Sequence, residues 1–228
     1  MSGSVLAVDT STPRGSIALC AGGALRVREL PTRERHSASL VPMVVALLGE
    51  AGLGPASVER WVVGLGPGSY TGVRVALGAV SGLAMPFGRT PVGVSGFDAL
   101  ACQALLAGRV RGAGLLVVAD ARRGEWYSAR YRAGAQPFAA GEVRPVLCSA
   151  AEVAEECRAE DLLLVVLDQG GPLPGWTGAV ERVLVTAPDA RVLAVLGGAL
   201  PAPPCGAPLE PLYLRPAVFV APVEPRAG

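Results

Sequence analysis

The chain opens with three short strand patterns in succession, and only afterwards do helices begin to alternate with strands. A buried strand is predicted over residues 5–8, and two further strands, over 15–20 and 24–30, flank a glycine turn. Five more elements follow in the order helix, strand, helix, strand, helix, at about residues 36–48, 61–65, 71–85, 91–94 and 97–106. This βββαβαβα order predicts an α/β fold with a mixed sheet that is covered by helices.

A second and shorter set of elements begins after the segment around residues 108–114. It comprises four predicted strands and two predicted helices, the strands at 115–120, 125–131, 142–148 and 162–167 and the helices at 150–158 and 188–197. Eight prolines lie between Pro201 and Pro225, so this end of the chain is expected to be extended or irregular. The predicted organisation is a first lobe over 1–107, a smaller second lobe over 108–210 and a proline-rich tail over 211–228.

Composition excludes several classes of protein. Hydrophobic residues make up 51% of the chain, which argues against intrinsic disorder, and a net charge of +1 argues against a free-standing nucleic-acid binder. All 20 basic residues are arginine, so a Schiff-base lysine and a Walker A lysine are both excluded. The N-terminus lacks a basic segment, and no uncharged apolar run reaches the ~20 residues of a membrane span. We therefore expect a cytoplasmic protein.

Metal and cysteine chemistry have few residues to draw on. His36 is the only histidine, so one chain cannot supply a site with two histidines. The five cysteines are scattered without a C-x-x-C pair, which favours reduced thiols over a disulfide framework or a zinc site. No metal site is predicted, and His36 itself is expected to be a helix cap or a surface residue.

Two glycine-rich or polar turns are the candidates for binding an anion. The turn from Gly66 to Gly72 joins a predicted strand to a helix, where backbone N–H groups and the helix dipole favour a phosphate. It matches neither the Walker A pattern nor G-x-G-x-x-G, so a tight turn that needs glycine for its backbone geometry is the favoured interpretation. The polar residues 9–12 at the tip of the first strand could hold a metal-bound phosphate or simply form a turn. Both interpretations stay open at this point.

Two sets of charged residues are more ordinary. Arg26, Arg28, Arg33 and Arg35 could contact RNA phosphates, but a solvated strand face is the favoured interpretation. The segment 120–125 carries four charges at a strand end, where a salt-bridged turn is favoured.

The first two helices have apolar residues on all sides. A helix that lies on one face of a sheet needs only one apolar side, so an all-round apolar helix needs a second cover. The first half offers no third layer, and we therefore expect another chain to cover these helices; burial of the two helices against each other and the sheet is the alternative. Gly78 and Gly82 would allow a partner helix to approach closely. The residues predicted to contact the partner are Leu40, Met43, Val44, Leu47, Val73, Leu77 and Val80.

Six segments, in chain order, resemble a known family, the TsaB (YeaZ) family. They are VLAVDTST, RHSASLVPMVVALL, GLGPGSYTGVRVAL, GVSGFDALA, VADARRGEWYSARY and PLYLRP. The resemblance covers essentially the whole first half, and the combination of the GPGSYTG-VR and DAR-x-GE-x-Y blocks is specific.

The resemblance implies an actin/hexokinase-like (ASKHA) fold of two ribonuclease-H-like halves with mixed sheets, the second half abbreviated. It implies a role in adding threonylcarbamoyl to the adenosine next to the anticodon of tRNAs that read codons beginning with A. Members of the family are the non-catalytic partners of the paralogue TsaD, and the ATPase TsaE completes the complex. ATP and metal then belong to the partner subunits, tRNA is reached only through the complex, and the isolated chain needs no cofactor. A homodimer of the free chain stays open.

A non-catalytic role also agrees with the residues themselves. The catalytic paralogue binds metal through an H-x-x-x-H pair, whereas Leu40 stands four residues after His36 here. No catalytic residue is predicted, and a vestigial phosphate site is expected at Asp9, Thr10, Gly66, Gly68, Ser69 and Thr71. The alternative is an ASKHA phosphotransferase or ATPase that uses Asp9 and residues 69–71. A peptidase is disfavoured because the chain lacks H-E-x-x-H and G-x-S-x-G motifs.

Overall fold

The first half of the chain folds in the predicted order. The structure is a computed structural model that describes residues 3–31, 36–108, 114–132, 145–160, 162–167 and 182–212. Its first elements are β1 (Val5–Asp9), β2 (Ser16–Ala21), β3 (Ala24–Glu29), α1 (His36–Glu50), β4 (Arg60–Gly64), α2 (Tyr70–Ala84), β5 (Val92–Val94) and α3 (Gly96–Leu106). Short 3-10 turns at Pro55–Ser57 and Met85–Phe87 precede β4 and follow α2.

These five strands form one mixed sheet in the order β3-β2-β1-β4-β5. The hairpin strands β1, β2 and β3 are antiparallel, whereas β4 pairs with β1 and β5 pairs with β4, both in parallel. β1 is the central strand and is buried along its whole length. Because β1 and β4 run in parallel, their carboxyl ends lie at the same edge of the sheet, and the residues after each strand meet there.

The second half builds a second sheet with the same plan. Its elements are β6 (Gly114–Arg122), β7 (Glu125–Arg132), β8 (Val146–Ser149), α4 (Ala150–Ala159), β9 (Leu162–Leu167), β10 (Arg182–Val185) and α5 (Ala190–Ala199). The order β10-β9-β6-β7-β8 repeats that of the first sheet, with two antiparallel and two parallel pairings. Two mixed five-stranded sheets of this order are the two ribonuclease-H-like halves of the ASKHA fold, so the predicted fold class is confirmed.

The second sheet is more complete than the sequence predicted. Strand β10 was not predicted, because a four-residue edge strand becomes recognisable only beside its parallel neighbour β9. In the described parts of the chain, the second half contributes two helices, α4 and α5, where the first half contributes three. Part of the strand predicted at 142–148 and the loop predicted at 169–174 lie outside the described residues, as does the tail beyond residue 212.

The two halves share helices across residue 107. Helix α3 packs with Phe97 and Leu100 against β6, β7 and β9 of the second sheet. Helix α5 packs with Leu193 and Leu196 against the face of the first sheet opposite α1 and α2. Arg60 fixes the end of α5, because its guanidinium donates hydrogen bonds to the carbonyl oxygens of Gly197, at 3.0 Å, and Leu200. No helix in the described parts of the chain is long and apolar enough to cross a membrane.

Candidate functional site

The tip of β1 carries the first predicted site residue, Asp9, which is completely buried. Its Oδ1 accepts hydrogen bonds from the backbone N–H of Ser11 at 2.9 Å and from the Ser11 hydroxyl at 2.7 Å. Among the residues that the structure describes, its Oδ2 has no hydrogen-bond partner. Burial disfavours the charged carboxylate and raises the pKa of Asp9 from 3.8 to about 6, although the bonds from Ser11 act in the opposite direction.

The glycine-rich turn after β4 lies directly against this tip. The Thr10 hydroxyl donates to the Gly72 carbonyl oxygen at 2.6 Å, and the Ser69 N–H donates to the Ser11 carbonyl oxygen at 2.6 Å. Ser69 is also the N-cap of α2, since its hydroxyl accepts from the Gly72 N–H at 3.1 Å. Five of the six residues predicted for the vestigial phosphate site therefore lie at the end of β1 or in the turn after β4. The sixth, Thr71, lies in the first turn of α2 and is exposed.

The glycines of this turn are required by close packing. A Cβ atom at position 68 would lie 2.1 Å from the Ser11 carbonyl oxygen, and one at position 72 would lie 2.0 Å from that of Thr10. A Cβ atom at Gly64 would lie 2.0 Å from Asp9 Oδ2. The two strand ends are thus in direct contact, and a side chain at position 68 or 72 would collide with a backbone carbonyl oxygen. This geometry agrees with the tight-turn interpretation of the glycines.

Other charged candidates form ordinary surface contacts. Arg28 pairs with Glu50 at 2.6 Å on an exposed surface, whereas Arg33 and Arg35 lie outside the described residues. Arg122 pairs with Asp120 at 3.2 Å, which confirms the predicted salt-bridged turn. Within the described ranges, no three His, Cys, Asp or Glu side chains are close enough together to hold a metal ion.

The predicted partner-binding residues lie in the wrong place for that role. Six of them are in the core between α1, α2 and the first sheet, each less than a tenth exposed: Leu40, Val44, Leu47, Val73, Leu77 and Val80. Met43 is partly buried against the same core. The prediction that these side chains form a contact surface is wrong, because α1 and α2 cover each other and one face of the sheet. The alternative of mutual burial holds for them.

A different set of residues on the same helices faces outward. On α1 the exposed residues include Val41, at 38%, and Val45, at 49%, with Ala38, Pro42 and Ala46 beside them. On α2 they include Gly78 and Gly82, where an added Cβ would meet no atom within 4 Å. We call this surface the outer helix face and define it by the residues Ala38, Val41, Pro42, Val45, Ala46, Gly78 and Gly82. The glycine spacing was the signal that marked it in the sequence.

Comparison with known proteins identifies the family. The family model described as TsaD, tRNA N6-adenosine threonylcarbamoyltransferase, matches residues 30–155, more than half of the chain. An uncharacterized protein of Mycobacterium tuberculosis is 33% identical over 228 residues, which cover 92% of this chain and 91% of the relative. The tRNA threonylcarbamoyladenosine biosynthesis protein TsaB of Escherichia coli is 38% identical over 130 residues, 56% of this chain and 54% of that protein.

Solved structures give the same result. A Pseudomonas aeruginosa protein with similarity to peptidase YEAZ superposes with a TM-score of 0.76 and 29% identity, over 93% of this chain and all of that chain. YeaZ from Pseudomonas aeruginosa superposes with a TM-score of 0.70 and 30% identity, over 86% of this chain and 91% of that one. Fold and family model together place the chain in the class of TsaD-like proteins that this model describes. Within that class, the chain belongs to the TsaB (YeaZ) family.

Proposed function

We propose that this chain is a non-catalytic subunit of a cytoplasmic complex with TsaD that adds threonylcarbamoyl to the adenosine next to the tRNA anticodon. Relatives named for threonylcarbamoyladenosine biosynthesis support a role in this tRNA modification. In the proposal TsaE completes the complex, ATP and metal are used by the partner subunits, and tRNA is bound only by the assembly.

The outer helix face is the observation that carries this proposal. Val41 and Val45 are exposed β-branched residues one helical turn apart, and small or apolar neighbours surround them. Exposed apolar residues grouped on α1 in this way are typical of a protein–protein contact. Gly78 and Gly82 leave open space above α2, so a helix of the partner can approach the backbone closely. We therefore expect TsaD to dock here through helices, and a second copy to use the same face when the chain is alone.

The closed arrangement at Asp9 supports the non-catalytic part of the proposal over the ATPase alternative. The two strand ends contact each other directly, with the Ser69 N–H donating to the Ser11 carbonyl oxygen, so little space is left between them for a phosphate. The Asp9 carboxyl is enclosed by Gly64 and Ser11. The pure chain is expected to bind ATP weakly or not at all and to transfer no threonylcarbamoyl without TsaD. Stoichiometric ATP with metal on the pure chain would instead support the alternative.

A pair of valine-to-aspartate variants tests the docking face. Val45→Asp places a charge on the outer helix face. The variant should stay a folded monomer but should no longer co-purify with TsaD, because the charge would have to be desolvated in the interface without a partner. Val195→Asp is the matched control, since Val195 is 53% exposed on α5 and lies away from this face. It should leave association unchanged. Normal pairing of a folded Val45→Asp variant would contradict the proposed interface.

A glycine-to-alanine variant gives a second test, in which the stability of the chain and its affinity for TsaD should change in opposite directions. Gly78→Ala should stabilise the isolated chain by up to about 1 kcal/mol, because alanine has the higher helix propensity and no atom obstructs its methyl group. The same methyl group should weaken TsaD binding by keeping the partner helix further away. Thermal unfolding and titration calorimetry measure the two effects separately. An increase in both stability and affinity would argue against close helix approach at this position.

A further inference from the structure

The hairpin turn between β6 and β7 has an uncommon backbone. Arg122 and Arg123 have φ angles of +67° and +61°, and Gly124 follows at +78°. Left-handed angles are uncommon for residues other than glycine, asparagine and aspartate, and two-residue hairpin turns of this type favour Asn-Gly. Two successive arginines therefore occupy positions where their side chains cost conformational free energy. Strain of this kind is found most often at functional sites.

The turn is constructed so that both arginines point away from the core. A register shift between Asp120 and Arg122 marks a β-bulge, in which Ala121 is buried. Asp120 holds the bulge, because its Oδ1 accepts from the Arg122 N–H at 2.7 Å and its Oδ2 pairs with the Arg122 guanidinium at 3.2 Å. The Arg122 side chain is nevertheless 75% exposed.

Arg123 differs from its neighbour because its charge is not compensated. Among the residues that the structure describes, Arg123 forms no hydrogen bond or ion pair, and it is exposed at the tip of the turn. A guanidinium group offers five N–H donors in a planar fork that matches phosphate oxygens. A narrow hairpin tip that presents such a group can contact the backbone of a large polyanion. The contact does not require the protein to bury a large surface.

We propose that the β6–β7 hairpin tip contacts the phosphate backbone of RNA. Arg123 is the residue that binds phosphate, and Arg122 supplies a second positive charge whose position is set by its contacts with Asp120. The inference rests on the proposed function, which brings tRNA to the complex. A backbone contact carries no sequence information, so its role is to orient the RNA relative to the partner's catalytic site. One or two such contacts are compatible with a chain whose net charge is only +1.

The test uses the reconstituted complex with TsaD and an unmodified transcript of a tRNA that reads codons beginning with A. Arg123→Asn removes the guanidinium and places a residue that tolerates left-handed angles, so the variant should be at least as stable as the wild type. RNA affinity should fall on the order of tenfold near 0.1 M salt, and the slope of log K against log salt should decrease by about 1. Arg123→Lys should restore most of the slope.

Arg89→Asn is the matched control, because Arg89 is exposed and has no ion pair with the described residues but lies outside the hairpin. An equal loss in this variant would show a general charge effect and would overturn the proposal. Unchanged RNA affinity in Arg123→Asn would overturn it as well. A loss of TsaD binding without a loss of RNA binding would also overturn it, because it would assign the hairpin to a protein contact.

If the wild-type chain does not bind TsaD, the docking proposal fails. The hairpin is then measured with the free chain at about 0.05 M salt, where RNA binding that is too weak to persist at physiological salt should still show the same slope difference.

Discussion

The hydroxyl group of Tyr131 donates a hydrogen bond to Asp98 Oδ1 at 2.7 Å, and both side chains are buried. Asp98 lies in the first turn of α3, and Tyr131 lies on β7, so the bond attaches a helix from the first half of the chain to the second sheet. Burial raises the pKa of the Tyr131 hydroxyl, and the neighbouring Asp98 raises it further. The tyrosine therefore stays protonated and remains a donor at physiological pH.

Tyr131→Phe should lower the free energy of unfolding by roughly 1.5–3 kcal/mol, because the buried Asp98 carboxyl group loses the hydrogen bond from the Tyr131 hydroxyl. Tyr127→Phe is the matched control: Tyr127 is half-buried on the same strand, and its hydroxyl forms no hydrogen bond with the described residues. Urea unfolding of both variants measures the difference. Equal, small losses would show that the Asp98–Tyr131 bond does not hold α3 on the second sheet.

Asp9 predicts a pH dependence of stability whose sign follows from its raised pKa. The folded-state pKa of about 6 lies above the unfolded value of 3.8, so the folded chain binds the proton more tightly. The stabilisation is complete below about pH 4 and is lost as the pH rises through about 6, with a total of about 3 kcal/mol. Asp9→Asn should remove this dependence. The unfolding free energy of the wild type should therefore fall relative to that of the variant between pH 4 and pH 8. A constant difference would mean that Asp9 is ionised throughout.

Gly197→Ala should destabilise the chain, although alanine favours helices. Helix α5 approaches β4 so closely that the new Cβ would lie 2.5 Å from Val62 Cγ1. The helix must move away from the sheet, at a cost of roughly 1–3 kcal/mol. Gly82→Ala, on the outer helix face, is the control and should be neutral or stabilising. A stable Gly197→Ala variant would contradict the packing of α5 on the first sheet.

Aspartate at the buried helix positions should unfold the chain instead of producing a monomer. Val44 and Leu77 are 1% and 8% exposed, and a charge at either site has no partner in the core between α1, α2 and the sheet. Val44→Asp and Leu77→Asp should each lower the free energy of unfolding by more than about 3 kcal/mol. Circular dichroism during thermal unfolding measures this loss. A folded, dissociated Val44→Asp variant would restore the contact surface first predicted from the sequence.

The candidate site was predictable wherever the signal was local. Glycine spacing after β4 and the polar run after β1 identified the two strand ends that the structure brings together. The direction in which a helical residue points was not predictable for Val44 and Val45, because both helices are apolar on every side. Their burial differs, at 1% and 49%, only because α2 and the sheet lie on one side of α1.

The sequence by itself determined the order of the elements in the first half, the family and the glycine-rich turn, because these depend on periodicity and on backbone requirements within a few residues. Tertiary structure alone decided three other features: the closure of the turn onto Thr10 and Ser11, the pairing of β10 with β9, and the position of α5 on the first sheet. Each joins residues that are distant in the chain. Their packing depends on the space left by neighbouring elements, which no local pattern records.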